Sequence, residues 1–152
     1  MAVSTEYLKT SNLSKIQKIL MLKQYASKLR DDIYHLSFYD RDLAGACAVA
    51  SFFVHKKAIA LGLNSILNHG YYKEDFHCWV SIDNIIIDIT ATQFGIKRKI
   101  FITKSTNKNY KSIRKFISNK APKYFDDWGT VQNPKHYKMI NNELRYIGNR
   151  NK

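Results

Sequence analysis

Three residues near the middle of the chain, Cys47, His77 and Asp88, have side chains that can work as a unit. A cysteine attacks as its thiolate, an imidazole beside it manages the proton, and a carboxylate on the other ring nitrogen fixes the tautomer. The stretch holding them, residues 45–94, reads GACAVASFFVHKKAIALGLNSILNHGYYKEDFHCWVSIDNIIIDITATQF. Cys47 follows Gly45-Ala46 in the first turn of an expected helix. Backbone N–H groups and the helix dipole lower a thiol pKa there, and the same N–H groups are placed to hold an oxyanion. Ala44, Gly45 and Ala46 are small and leave the approach to the sulfur open. Taken singly, each residue has a structural explanation: a buried thiol, or a hydrogen-bonded pair on a sheet. It is the order Cys, His, Asp within one stretch that points to nucleophilic chemistry.

The elements that must position these groups begin with a hairpin. Residues 76–82 and 85–90 read as two strands joined by the two-residue turn Asp83-Asn84. In that register Ile82 faces Ile85, Val80 faces Ile87 and Cys78 faces Ile89, an all-apolar face on which Cys78 is a small core residue. The other face carries His77, Trp79 and Ser81 against Ile86, Asp88 and Thr90. His77 and Asp88 are then diagonal neighbours, about 7–8 Å apart at the backbone and within side-chain reach. A slip of one residue would mix both faces.

Around the hairpin, residues 12–36 carry apolar residues at helical spacing: Leu13, Ile16, Ile19, Leu20, Leu22, Tyr25, Ala26, Leu29, Ile33 and Leu36. Ser11 or Asn12 is the expected cap. Lys15, Lys18, Lys28 and Arg30 form the opposite, solvated face. Residues 37–45 are a turn-rich connector. A second helix is expected over 46–61, with Val49, Phe52, Phe53, Ile59 and Ala60 on its buried side, and stops at Gly62. Residues 64–67 read as a strand leading into His69-Gly70, and 99–103 as another. Residues 109–118 have helical spacing through Ile113, Phe116 and Ile117. The segment YFDDWG at 124–129 reads as irregular, with Phe125 and Trp128 anchoring it to the core and Asp126 and Asp127 beside a groove as the alternative. Residues 136–147 fit a helix or a strand equally. There is no internal repeat and no linker, so residues 1–152 are expected to form one domain. Its catalytic core covers about 40–103 and its N-terminal helical segment about 12–36.

The stretch resembles the core of the transglutaminase-like superfamily, within the papain-like group of cysteine enzymes. The resemblance rests on Gly45-x-Cys47, Ser51 in the following helix, Leu61-Gly62-Leu63 at its end, Gly70-Tyr71, His77-x-Trp79-Val80 and Asp88-x-Thr90. It covers about fifty residues, a third of the chain. It implies an α+β fold in which a nucleophile-bearing helix packs on an antiparallel sheet. Cys47 is the implied nucleophile, His77 the general base and acid, and Asp88 the residue that orients His77. The short hairpin implies a minimal core. No glutamine shortly precedes Cys47 to complete an oxyanion hole, and Trp79, Tyr39 and Gln93 are the candidates for that role or for lining a groove. The implied activity is thiol-dependent amide hydrolysis, as a cysteine peptidase or protein glutamine deamidase, through acyl transfer. Transglutaminase-type cross-linking is an alternative, as is an inactive basic module. No cofactor is implied. His55, His69 and His136 lack ligand spacing with the cysteines, so no metal site is expected.

Composition bounds the partners. The 25 Lys+Arg against 12 Asp+Glu give a net charge of +13, which favours acidic partners. A protein or peptide substrate, acidic in character, is expected first. Nucleic acid comes second, through the basic run with interleaved aromatics at 97–116. Two cysteines are too few for a disulfide framework. The first fifteen residues lack the apolar core of a signal peptide, and no stretch approaches the ~20 apolar residues of a membrane span. The default location is cytoplasmic; a non-classical secretion address would leave no mark on the sequence. Oligomeric state is not legible.

Overall fold

A computed structural model describes residues 13–34, 46–120, 137–140 and 143–146. Two helices pack on a five-stranded antiparallel sheet, giving an α+β fold. The helices are α1 (Lys15–Tyr34) and α2 (Cys47–Ala60). The strands are β1 (Ser65–Tyr72), β2 (Asp75–Ile82), β3 (Ile85–Asp88), β4 (Phe101–Lys104) and β5 (Tyr110–Phe116), in the order β4-β3-β2-β1-β5. A separate two-stranded ribbon pairs β6 (Tyr137–Ile140) with β7 (Glu143–Tyr146).

Helix α1 starts at a capping box. The Ser14 hydroxyl accepts from the Gln17 N–H (3.2 Å), and the Gln17 carboxamide oxygen accepts from the Ser14 N–H (2.9 Å). The cap is therefore Ser14, not Ser11 or Asn12. Leu22, Ala26, Leu29 and Ile33 form the buried stripe, whereas Ile16 (74% exposed) and Leu20 (52%) face outward, contrary to the expected apolar face. Arg30 departs the other way. It was expected on the solvated face, yet it is only 5% exposed and lies within the buried stripe.

Helix α2 buries every residue from Ala48 to His55, as an element sandwiched between α1 and the sheet must. Ile59 is half-buried and Ala60 exposed, so the buried side ends earlier than expected. Gly62 at φ +80° closes the helix, its N–H bonded to the Ile59 carbonyl and the next N–H, of Leu63, to the Ala58 carbonyl. This double bond pattern needs a left-handed residue, which glycine adopts without strain. His55 is fully buried and tied at both ring nitrogens, Nδ1 to Ser65 Oγ (2.7 Å) and Nε2 to the Ser118 carbonyl (2.9 Å). Its role is structural.

The β2–β3 register is the expected one, with Ile82–Ile85, Ser81–Ile86 and Val80–Ile87 paired. The sheet has two covered faces. Leu67, Cys78, Val80, Ile82 and Ile87 pack under the helices with Ile89. Tyr72, Trp79, Ile86 and Tyr110 form a second cluster on the other face, joined by Phe94, Ile96 and Phe101. Residues 110–116 form a strand, not the helix their spacing suggests. On this edge strand Phe116 packs on the first core and Tyr110 on the second, while Ile113 is exposed beside the register shift at His69/Gly70. Ile113 and Phe116 therefore share no buried helical face. Gly70 is required at that shift, since a Cβ there would meet the Lys111 carbonyl oxygen. Residues 136–147, undecided in the sequence, contain the ribbon. The YFDDWG segment and residues 37–45 lie outside the described residues.

Candidate active site

The ladder between β2 and β3 stops one step early. Cys78 and Ile89 would be the next hydrogen-bonded pair, but the pairing ends at Val80–Ile87. The groups freed there have other partners. The Ser51 hydroxyl of α2 donates to the Cys78 carbonyl (2.9 Å). Arg30 Nε donates to the Ile89 carbonyl (3.2 Å), and its Nη2 to Thr92 Oγ1 (3.1 Å). Helix α2 thus inserts its first turn where the two strands part, with α1 holding the far strand. The expected pairing of Cys78 with Ile89 is replaced by these contacts, because buried backbone groups must be satisfied by one partner or another.

In this splay the three predicted residues come together. His77 Nε2 donates to Asp88 Oδ2 at 2.7 Å, both side chains fully buried. Asp88 is held further by the Thr90 N–H (3.0 Å) and hydroxyl (3.3 Å) on Oδ1, and by the Tyr110 hydroxyl (2.8 Å) on Oδ2. With Nε2 committed to Asp88, Nδ1 is the nitrogen that remains; Gln93 Nε2 lies 3.5 Å from it, and Cys47 is near enough to raise the imidazole. Phe94 meets the imidazole edge-on at 4.7 Å between centroids, and Trp79 stacks on it at 6.0 Å. These rings fix the plane of the base.

Cys47 is half-buried at the first turn of α2. The N-cap is Ala46, which provides no side-chain cap. An alanine cap costs about 1 kcal/mol relative to serine or aspartate. The Cys78 thiol, donating to Cys47, lowers the Cys47 pKa most. Burial opposes this, and the His77 imidazole and the Cys78 N–H add to the lowering, so the thiol lies well below its ordinary value. Burial alone would depress His77, but the Asp88 and Cys47 charges outweigh it and lift the imidazole to about 10. Cys78 is pushed well above the ordinary thiol value, by burial first and then by Cys47. Both shifts favour the Cys47 thiolate and the His77 imidazolium over the neutral pair.

Of the remaining candidates, Gln93 lies on the 3-10 turn Ala91–Phe94, its Nε2 3.0 Å from the Thr90 carbonyl and 3.5 Å from His77 Nδ1. Trp79 is buried beneath His77 and lines no open groove. Tyr39 lies outside the described residues. Sequence reading overlooks two contributors, Arg30 and Tyr110. Arg30 sits four residues after Ala26 on the buried stripe, a legible signal. Tyr110 belongs to a basic run, and nothing in its spacing marks it as a partner of Asp88. The run itself divides: β4 and β5 occupy opposite edges of the sheet, Tyr110 is buried, and Phe101 and Phe116 are half-buried against the two cores. Among the described residues no helix is long and apolar enough to cross a membrane. Comparisons of the chain with protein-family models, curated proteins and solved structures give no match.

Proposed function

We propose that the protein is a thiol-dependent amide hydrolase with a Cys47-His77-Asp88 triad of the transglutaminase-like, papain-related kind. The observation that carries this reading is the relay itself. A carboxylate with three other hydrogen-bond donors grips one imidazole nitrogen at 2.7 Å, and the charge of a helix-start thiol, Cys47, acts on the same imidazole. A purely structural His–Asp pair gives no reason for a helix start whose N-cap is an alanine and an interrupted sheet ladder beside it.

In the proposed reaction the Cys47 thiolate attacks an amide carbonyl carbon and the carbonyl π pair moves onto oxygen. The resulting oxyanion is met by first-turn N–H groups of α2. When the tetrahedral intermediate collapses, the C–N bond breaks, and the His77 Nδ1–H protonates the departing amine. A thioester remains on Cys47. His77, now neutral, takes a proton from water as the water attacks the thioester. Release of the carboxylic acid regenerates the ion pair. Gln93, beside Nδ1, is positioned to steady the leaving amine. Water as acceptor gives hydrolysis; an amine acceptor would give cross-linking by the same first half.

The test is mass spectrometry of a defined protein mixture incubated with the chain or with Cys47→Ala. New peptide termini identify a peptidase, glutamine converted to glutamate a deamidase, and amine-linked glutamine a cross-linker. We expect one of these product classes, absent with Cys47→Ala. Equal products from both chains, or none from the native chain, contradict the reading.

A further inference from the structure

The sheet register fixes what lies next to Cys47 on the side open to a substrate. Residues sharing the helix-covered face fall in rows across β2, β1 and β5. Val80, Leu67 and Phe116 form one row and pack in the core under the helices. Cys78, His69 and Arg114 form the next, and Cys47 packs against the core that includes Cys78. One row further, about 7 Å along the strands, come Phe76, Tyr71 and Lys111. Phe76 is 64% exposed although it adjoins the fully buried His77. Its ring stacks on Tyr71 (4.7 Å, 30°) and on His69 (5.6 Å, 13°). The result is a shelf of exposed Phe76 and half-buried Tyr71 backed by the buried His69 ring, with two exposed cations, Lys111 and Arg114, along its β5 side. His69 pairs with Cys78, whose core Cys47 packs against, so the shelf adjoins Cys47, and the charges of Cys47 and Arg114 both act on the His69 imidazole.

We propose that the Phe76–Tyr71–His69 shelf, with Lys111 and Arg114, is the substrate-binding subsite of this enzyme and takes a peptide segment bearing an aromatic residue next to an acidic one. The inference rests on the amide-hydrolase reading, whose nucleophile it adjoins. An aromatic side chain stacked on Phe76 gains ring contact at a surface already facing solvent. A carboxylate beside it meets Lys111 and Arg114. Charge complementarity selects the acidic partner: the chain carries +13, and the two cations flank the rings on the same face.

The experiment uses the full chain carrying Cys47→Ala, so that ligands are bound without turnover. Fluorescein-labelled hexapeptides containing Glu-Phe, Lys-Phe or Glu-Ala are compared by anisotropy. The Glu-Phe peptide is expected to bind roughly tenfold tighter than either control, the factor a good ring contact supplies. Phe76→Ala should abolish the preference for Phe, and Lys111→Glu should weaken or reverse the preference for Glu. Equal binding of all three peptides, or a preference for Phe surviving Phe76→Ala, overturns the proposal. So does a labelled single-stranded oligonucleotide that binds as tightly and loses as much in Phe76→Ala. Iodoacetamide labelling of Cys47 in chains that retain the thiol reads the nucleophile separately. A reactive thiolate with no peptide preference refutes the shelf alone. An ordinary thiol with the peptide preference intact upholds the shelf as a binding surface and refutes the hydrolase reading.

Discussion

At the scale of residues, the Cys47–His77 pair makes a pH signature that neither residue would make alone. In the unfolded chain the imidazole titrates near 6.5 and the thiol near 9.0. In the fold the thiol is depressed and the imidazole raised to about 10. Between 6.5 and 9.0 both states of the chain hold one proton on the pair, as Cys⁻/HisH⁺ when folded and CysH/His when unfolded, so stability does not change with pH. Below 6.5 the unfolded state binds the extra proton and stability falls as pH falls. Above 9.0 the folded state holds the extra proton, and stability falls as pH rises toward 10. Cys47→Ala keeps Asp88, which still raises His77, so urea unfolding of the native chain against this variant should show a difference that grows as pH rises from 6.5 through the variant's imidazole titration and shrinks below 6.5 and above 9.0. A difference independent of pH would mean that the pair is not ionised. Cys78 adds a second expectation at this scale. Its thiol donates to Cys47, so Cys78→Ala should move the pH of Cys47 alkylation upward by about one unit, a tenfold change in thiolate at a given pH.

At the scale of elements, the site exists because two strands part and two helices occupy the gap. Arg30 holds the far side of that gap through the Ile89 carbonyl and Thr92. Arg30→Met keeps the stem but removes both bonds. We expect a loss of about 1–3 kcal/mol in denaturant unfolding, together with slower Cys47 labelling as Ile89 turns back toward β2. A normal labelling rate in this variant would show that the splay does not depend on α1. The splay is also where sequence reading stops. The β2–β3 hairpin is legible because alternation and the Asp83-Asn84 turn agree, and His77 and Asp88 follow from that register. Helix α2 is legible from its apolar run and Gly62. The interruption at Cys78–Ile89 is not, since it is set by Ser51, Cys47 and Arg30 arriving from elsewhere in the chain. Strand β5 is misread because an edge strand with one face in solvent leaves Ile113 and Ile117 exposed, at a spacing that imitates a helix. Tyr110 reaches Asp88 only once β5 is placed beside β1.

At the scale of the whole molecule, the positive charge is spread over both edges of the sheet, and the aromatics of the 97–116 run are partly or fully buried. Its aromatics thus serve the two cores before any nucleic acid, while Lys111 and Arg114 accompany the exposed Phe76 shelf. The two helices, the parted strands and the carboxylate relay all converge on one physical quantity, the ionisation of Cys47. Its most direct measurement is the pH dependence of iodoacetamide labelling in the intact chain, followed at each cysteine by mass spectrometry, with buried Cys78 as the internal control. The account predicts that Cys47 labels rapidly at pH 6, that Cys78 does not, and that His77→Ala shifts Cys47 toward the ordinary thiol value of ~8.5. Labelling of Cys47 that rises only near that value in the native chain, unchanged by His77→Ala, would contradict it.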